Sequence, residues 1–183
     1  SVGMAANLFA QVARGLEHMN ERGFVHADMK PINVMVTGEQ QVKIIDLGQA
    51  CAVNEVKKRI QGTLGYIAPE QAHLQAITAQ TDVYNFGAMM YKVLAGEIIP
   101  TALQIGSDGV SMSAVTPSMV KLPTPLSKKR VGIPDELSDL VQECIQLKPQ
   151  DRVSGMGQVA ERLELIVSAL GDTHIGLRAV GAK

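Results

Sequence analysis

A mainly α-helical domain, bundled around one buried central helix and carrying one or two small β-hairpins, is what three features of this sequence predict. Near each end of the chain, apolar residues recur at three- and four-residue spacing, the period of a helix with one buried face. Between them, the stretch from Thr78 to Ala95 is apolar nearly all round, with Val83, Phe86, Ala88, Met89, Met90, Val93 and Leu94. A helix without a polar face belongs in the middle of a domain. Third, apolar residues make up 46% of the 183 but include no Trp. The core is therefore expected from Leu, Ile, Val, Met and Ala, and the length is that of one domain with a real core.

The elements follow in order. Leu8, Phe9, Val12, Ala13, Leu16 and Met19 predict an amphipathic helix from Met4 to Arg22, stopped by Gly23. Two short strands, Asn33–Thr37 and Gln41–Ile45, are predicted around a turn at Gly38-Glu39. The central helix, Thr78 to Ala95, stops at Gly96. Residues 97–133 are rich in Gly, Ser, Thr and Pro, which predicts a short helix and then a long surface loop. Beyond Pro134, Leu137, Leu140, Val141, Cys144 and Ile145 restore the helical period. A last helix from Ser154 to Leu170 would align Met156, Val159, Ala160, Leu163, Val167 and Leu170. Residues 1–171 read as one domain; 172–183 lack periodicity and read as a frayed tail or a continuation.

Composition excludes several classes. A net charge of −1 argues against a nucleic-acid or membrane-surface protein, because polyanions need a basic face. Cys51 and Cys144 stand far apart, with neither metal spacing nor a disulfide framework, and imply a reducing cytosol. No apolar run approaches the ~20 residues of a membrane span, and no signal peptide is recognisable.

Residues 26–33, His-Ala-Asp-Met-Lys-Pro-Ile-Asn, place an acid, a lysine and an amide close together on a loop stiffened by Pro31. Such a loop can hold a base, a phosphate-neutralising cation and a metal ligand around one transferring group. Three further motifs follow in order: Asp46-Leu47-Gly48, the run Gly62 to Glu70 (GTLGYIAPE), and Asp82-Val83-Tyr84-Asn85-Phe86-Gly87. Together they resemble the C-terminal lobe of a eukaryotic-type serine/threonine protein kinase over nearly the whole chain, and the Pro-rich stretch before Ile133-Pro134-Asp135 looks similar to bacterial members of that family.

The resemblance implies a role for each residue. Asp28 would be the catalytic base toward the substrate hydroxyl, and Lys30 would reach the γ-phosphate of ATP. Asn33 and Asp46 would hold Mg2+, and Met35 would lie beneath adenine. Thr63 would shape the substrate site beside Asp28 and Lys30. His26 would brace the loop, Asp82 would accept hydrogen bonds from its backbone, and Glu70 and Arg152 would form a buried ion pair. Leu47 replaces the usual Phe and is expected to fill the same apolar slot.

The chain also departs from the family pattern. Ala27 stands where phosphorylation-regulated kinases carry Arg, and Gln49–Gln61 (QACAVNEVKKRIQ) contains no Ser, Thr or Tyr. Receptor and acceptor of an activating phosphate are missing together, so no switch of that kind is expected. The Lys57-Lys58-Arg59 run reads as a solvated face. These 183 residues contain neither a glycine-rich phosphate loop nor an A-x-K strand lysine, and Gly155-Met156-Gly157 opens the last helix instead. The expectation is a lobe that needs an N-terminal lobe to complete its ATP site before phosphorylating protein Ser and Thr hydroxyls. The alternatives are a pseudokinase or stand-alone scaffold lobe and, less in keeping with Gly62–Glu70, a small-molecule phosphotransferase.

Overall fold

In the computed structural model, which describes residues 1–107 and 112–180, a long first helix leads into the loop of the predicted acid. Helix α1 spans Val2–Glu21 and is followed by β1 (Phe24–Val25), β2 (Val34–Val36), β3 (Val42–Ile44) and β4 (Cys51–Ala52). Then come α2 (Pro69–Ala72), α3 (Ala79–Ala95), β5 (Leu103–Ile105), β6 (Met112–Ala114), α4 (Leu126–Lys129), α5 (Asp135–Cys144) and α6 (Met156–Val180).

Local chemistry sets the boundaries. Ser1 caps α1 by accepting from the Met4 amide at 3.2 Å, and Gly23 turns away in the left-handed region at φ +80°. Thr78 caps α3 through the Gln80 amide, and Gly96 ends it at φ +82°. The β2–β3 hairpin pairs Val34 with Ile44 and Val36 with Val42, and the Thr37 amide donates to the Gln41 carbonyl at 2.9 Å.

Helix α3 is the pillar. Twelve of its seventeen residues are buried, among them Val83, Tyr84, Phe86, Met89, Met90 and Tyr91. Helix α1 lays Phe9 edge-on against Phe86, with ring centroids 6.1 Å apart, and α6 brings Val159, Ala160 and Leu163 into the same core. Gly87 lets α5 approach closely: a Cβ there would lie 2.6 Å from Cys144 Cβ and 2.9 Å from Ile145 Cγ2. Gly87→Ala gains helix propensity of roughly 1 kcal/mol, but overpacking costs about 1–3 kcal/mol. A net loss of stability in urea unfolding is the expected outcome, and a more stable variant would contradict this packing.

Cys144 is fully buried at that contact, and burial pushes its thiol from near 9 up to about 12. The thiol therefore stays neutral, and a thiol reagent at pH 8 is expected to modify Cys144 no faster than the chain unfolds. As pH climbs past about 9, the unfolded chain loses this proton before the folded one does. The contribution is thus complete below that pH and lost on the way to about 12.

Several expectations need correction. The helix expected to end at Leu170 continues to Val180; of the expected tail, residues 181–183 lie outside the described residues. The segment 97–133 is not a short helix followed by a loop. It holds the β5–β6 hairpin first and the one-turn α4 afterwards, with residues 108–111 outside the described residues. Ala102 and Leu103 anchor that hairpin in a small core with Ile67 and Ala72, which stabilises strands where the composition suggested loop. The β1–β4 ladder, Val25 opposite Cys51, was not predictable from local pattern because 25 residues separate its strands. No described helix is long and apolar enough to cross a membrane.

Candidate functional site

The site is assembled on the loop between β1 and β2, and α3 holds that loop in place. The Asp82 carboxylate, in the first turn of α3, accepts from the backbone amides of His26 (3.0 Å) and Ala27 (2.9 Å) and from the Asn20 side-chain amide (2.9 Å). Burial pushes the Asp82 carboxyl up, while those donors favour its charged form. Ala27 is thereby fixed at φ +61°, a left-handed conformation that costs a non-glycine residue roughly 1–2 kcal/mol. Its carbonyl is held from the other side by Gln71 Nε2 at 2.6 Å. His26 is buried; its Nδ1 accepts from the Asp28 amide at 3.3 Å, and Nε2 faces the Ile45 carbonyl at 3.5 Å.

Asp28 follows this turn and is 8% exposed. Thr63 Oγ1 donates to Asp28 Oδ1 at 2.8 Å, and Lys30 Nζ donates to Asp28 Oδ2 at 2.6 Å and to Thr63 Oγ1 at 2.8 Å. Three residues from two segments thus close a ring of charge-assisted hydrogen bonds, which fixes the carboxylate in one orientation. Pro31 opens a 3-10 turn ending at Asn33, whose Nδ2 donates to the Asp28 carbonyl at 2.8 Å. The amide orientation leaves Asn33 Oδ1 without a hydrogen bond among the described residues.

The hairpin brings in Asp46. The Ile45 amide donates to the Asn33 carbonyl at 2.9 Å, so Asp46 follows directly on a residue paired with Asn33. Asp46 is exposed and stands at φ +61°; Oδ1 accepts from the Gly48 amide at 3.2 Å, and Oδ2 has no hydrogen bond among the described residues. Met35, half-exposed on β2 opposite Lys43, lies on the same hairpin.

Asn33 and Asp46 fit Mg2+ on donor chemistry: a neutral oxygen and a carboxylate oxygen, both hard and both unengaged. Among the described residues no group of three His, Cys, Asp or Glu gathers as a metal cage. Two protein ligands suit Mg2+, which keeps waters and takes substrate phosphates as further ligands.

The supporting pair is also in place. Arg152 NH1 and NH2 meet Glu70 Oε1 and Oε2 at 2.7 and 2.8 Å, fully enclosed, and the guanidinium lies 4.9 Å from the Tyr84 ring centre. One expectation fails: Leu47 fills no apolar slot but is 58% exposed.

Sequence reasoning missed three residues, Asn20, Gln71 and Thr81. Gln71 ties together the Ala68 amide, the Ala27 carbonyl and Asn85, and Thr81 donates to Glu70 at 2.9 Å. Glutamine and threonine are usually surface residues, and nothing in their spacing distinguished these two. The segment 49–61 is fastened by backbone hydrogen bonds and by an apolar cluster. Asn54 donates to the Ile77 carbonyl at 2.7 Å, Ile77 donates to the Glu55 carbonyl at 2.9 Å, and Val25, Ala27, Cys51 and Ile77 form an apolar cluster. Lys57 pairs with Glu55 at 3.0 Å, so only Lys58 and Arg59 of the basic run remain as expected.

The chain is similar to known proteins. Residues 2–163 match the family profile of the protein kinase domain. The chain is 29% identical over 160 residues to a probable serine/threonine-protein kinase of Clostridium acetobutylicum, covering 84% of this chain and 23% of that protein. It is 31% identical over 153 residues to the serine/threonine-protein kinase PknB of Mycobacterium leprae, covering 81% of this chain and 24% of that protein. It therefore spans about a quarter of the length of these relatives. In fold it is similar to the kinase PK-1 of the Cydia pomonella granulovirus, with a TM-score of 0.68 at 19% identity, covering 87% of this chain and 57% of that one.

Proposed function

The chain belongs to the protein kinase family, and from that premise we propose that it is the catalytic C-terminal lobe of a serine/threonine protein kinase. The ring of Asp28, Lys30 and Thr63 carries this reading, because it holds a carboxylate and an ammonium side by side at an enclosed position. Asp28 orients the substrate Ser or Thr hydroxyl and takes its proton; it does so by exchanging the Thr63 or Lys30 hydrogen bond for the substrate's. Lys30 turns its ammonium toward the transferring phosphoryl group and offsets charge there. Asn33 and Asp46 would hold Mg2+, which when bound would offset charge on the phosphates of ATP, the phosphoryl donor. Met35 offers an apolar surface to adenine. His26, Asp82, Glu70 and Arg152 act through the positions they impose.

An N-terminal lobe, carrying a glycine-rich loop and a strand lysine, would close the nucleotide cleft over the β2–β3 hairpin. The isolated lobe would bind nucleotide weakly and transfer phosphate negligibly, in the cytoplasm or elsewhere. The four intact polar residues favour this reading over a scaffold lobe without catalysis. The test is transfer of γ-labelled phosphate to protein Ser and Thr by this lobe joined to an N-terminal lobe. Magnesium-dependent labelling is expected, and its absence in a folded, nucleotide-bound protein contradicts the proposal.

Regulation follows from the fastening of 49–61. Phosphatase treatment is expected to leave the rate within about twofold, since an ordered segment needs no added charge to hold it. A large loss after phosphatase would show a phosphate elsewhere, with Thr63 the first residue to check.

A further inference from the structure

One cavity lies away from the phosphoryl-transfer site. It is a groove of about 630 Å³ between α5 and α6, floored by Pro134, Leu165, Ile166 and Leu170. Leu165 stands 69% exposed at its mouth. The groove has a sign. Its one cation among the lining residues, Arg162, is taken by Glu143 through two hydrogen bonds, one of 2.9 Å. Glu136 on α5 has no partner among the described residues, and Asp139 interacts with Arg162 only through its charge, so with Glu143 three carboxylates face one guanidinium and the rim is acidic.

The complementary piece lies on the same chain. Val131 is fully exposed, an unusual state for a valine with its whole side chain in water. It directly follows Lys128-Lys129-Arg130. This tip is held rigidly from both sides. Lys129 pairs with Glu97, Arg130 donates to the Leu94 carbonyl at 2.8 Å, Gly132 turns at φ +89°, and Ile133 is buried. A fixed knob loses little freedom on docking. Lys128 is exposed and uncommitted among the described residues. Val131 also lies within roughly 10 Å of Pro134, the reach of three residues. Knob and groove therefore share one end of α5.

We propose that this face pairs two copies of the chain. Val131 of each enters the α5–α6 groove of the other, and Lys128 faces Glu136 and Asp139 across the contact. Two-fold pairing allows both insertions at once, since each copy presents both halves near one axis. The contact is small, which makes it a weak, salt-sensitive dimer rather than an obligate one.

Sedimentation equilibrium across roughly 1 to 500 μM tests this, because mass action exposes weak association. A concentration-dependent dimer is expected that weakens at least about tenfold in Val131→Asp and in the double variant Glu136→Lys, Asp139→Lys. All three positions are exposed, and unchanged thermal unfolding will show that the variants fold. Lys128→Glu should weaken the dimer as well, and mixing it with Glu136→Lys chains should restore association between the two. A chain that stays monomeric throughout overturns the proposal, as does a dimer unaffected by these changes. A monomeric chain that still binds a synthetic Leu/Lys helix in this groove would assign the face to a foreign basic peptide and overturn the self-pairing.

Discussion

Arg152→Ala is expected to remove about 3–5 kcal/mol of stability, the cost of stranding one member of a buried ion pair. The Glu70 carboxylate is 3% exposed and receives both ends of the guanidinium, with one further donor from Thr81. Without Arg152 it keeps only that hydroxyl. The loss extends further, because the same guanidinium donates to the carbonyls of Gln146 at 2.8 Å and Gln80 at 2.7 Å and lies over Tyr84. It ties α2, the start of α3 and the approach to α6 into one body. A typical domain has only about 5–15 kcal/mol in total, so this variant is expected to be partly unfolded at physiological temperature. Urea unfolding of Arg152→Ala, Glu70→Ala and the double variant measures it. The double variant should cost less than the sum of the singles, because no uncompensated charge remains. Strict additivity would contradict the pairing.

Asp28→Asn is expected to lower phosphoryl transfer about 10²–10⁴-fold, the usual contribution of a positioned general base. The substitution keeps the shape but replaces a charge-assisted acceptor for Lys30 and Thr63 with a neutral amide. Lys30 then loses the partner that aims it, so the effect combines a missing base with a misplaced cation. KM for ATP should change little, since Asn33 and Asp46 are untouched. Single-turnover transfer by the two-lobed kinase separates the step from product release. A variant retaining more than about a tenth of the rate would mean that Asp28 only positions its neighbours.

Much of this was legible in the sequence, for identifiable reasons. The bounds of α1 and α3 were readable because apolar period, cap and left-handed glycine agree at Gly23 and Gly96. Asp28, Lys30 and Asn33 drew notice through their spacing within one short loop, and Asp46 through the resemblance of its motif; the roles given to them belong to the proposal. The contact of Thr63 with both Asp28 and Lys30 rested on resemblance, since 33 residues separate it from Lys30. What stayed hidden was long-range or depended on the backbone. The β5–β6 hairpin draws its stability from Ile67 and Ala72 in another segment. The exposure of Leu47 and the positive φ of Asp46 are not announced by residue type either. Gln71 and Thr81 are buried by tertiary packing against ordinary surface propensity.

The claim that Asn33 and Asp46 share one metal–phosphate site beside Asp28 and Lys30 is tested most directly by titrating this chain with Mn2+-ATP and following backbone amide resonances. The paramagnetic ion broadens nearby signals even when binding is weak. The account expects broadening centred on Asn33, Asp46, Asp28 and Lys30, lost in Asp46→Asn while the remaining spectrum is preserved. Broadening centred elsewhere, or unchanged in Asp46→Asn, would contradict it.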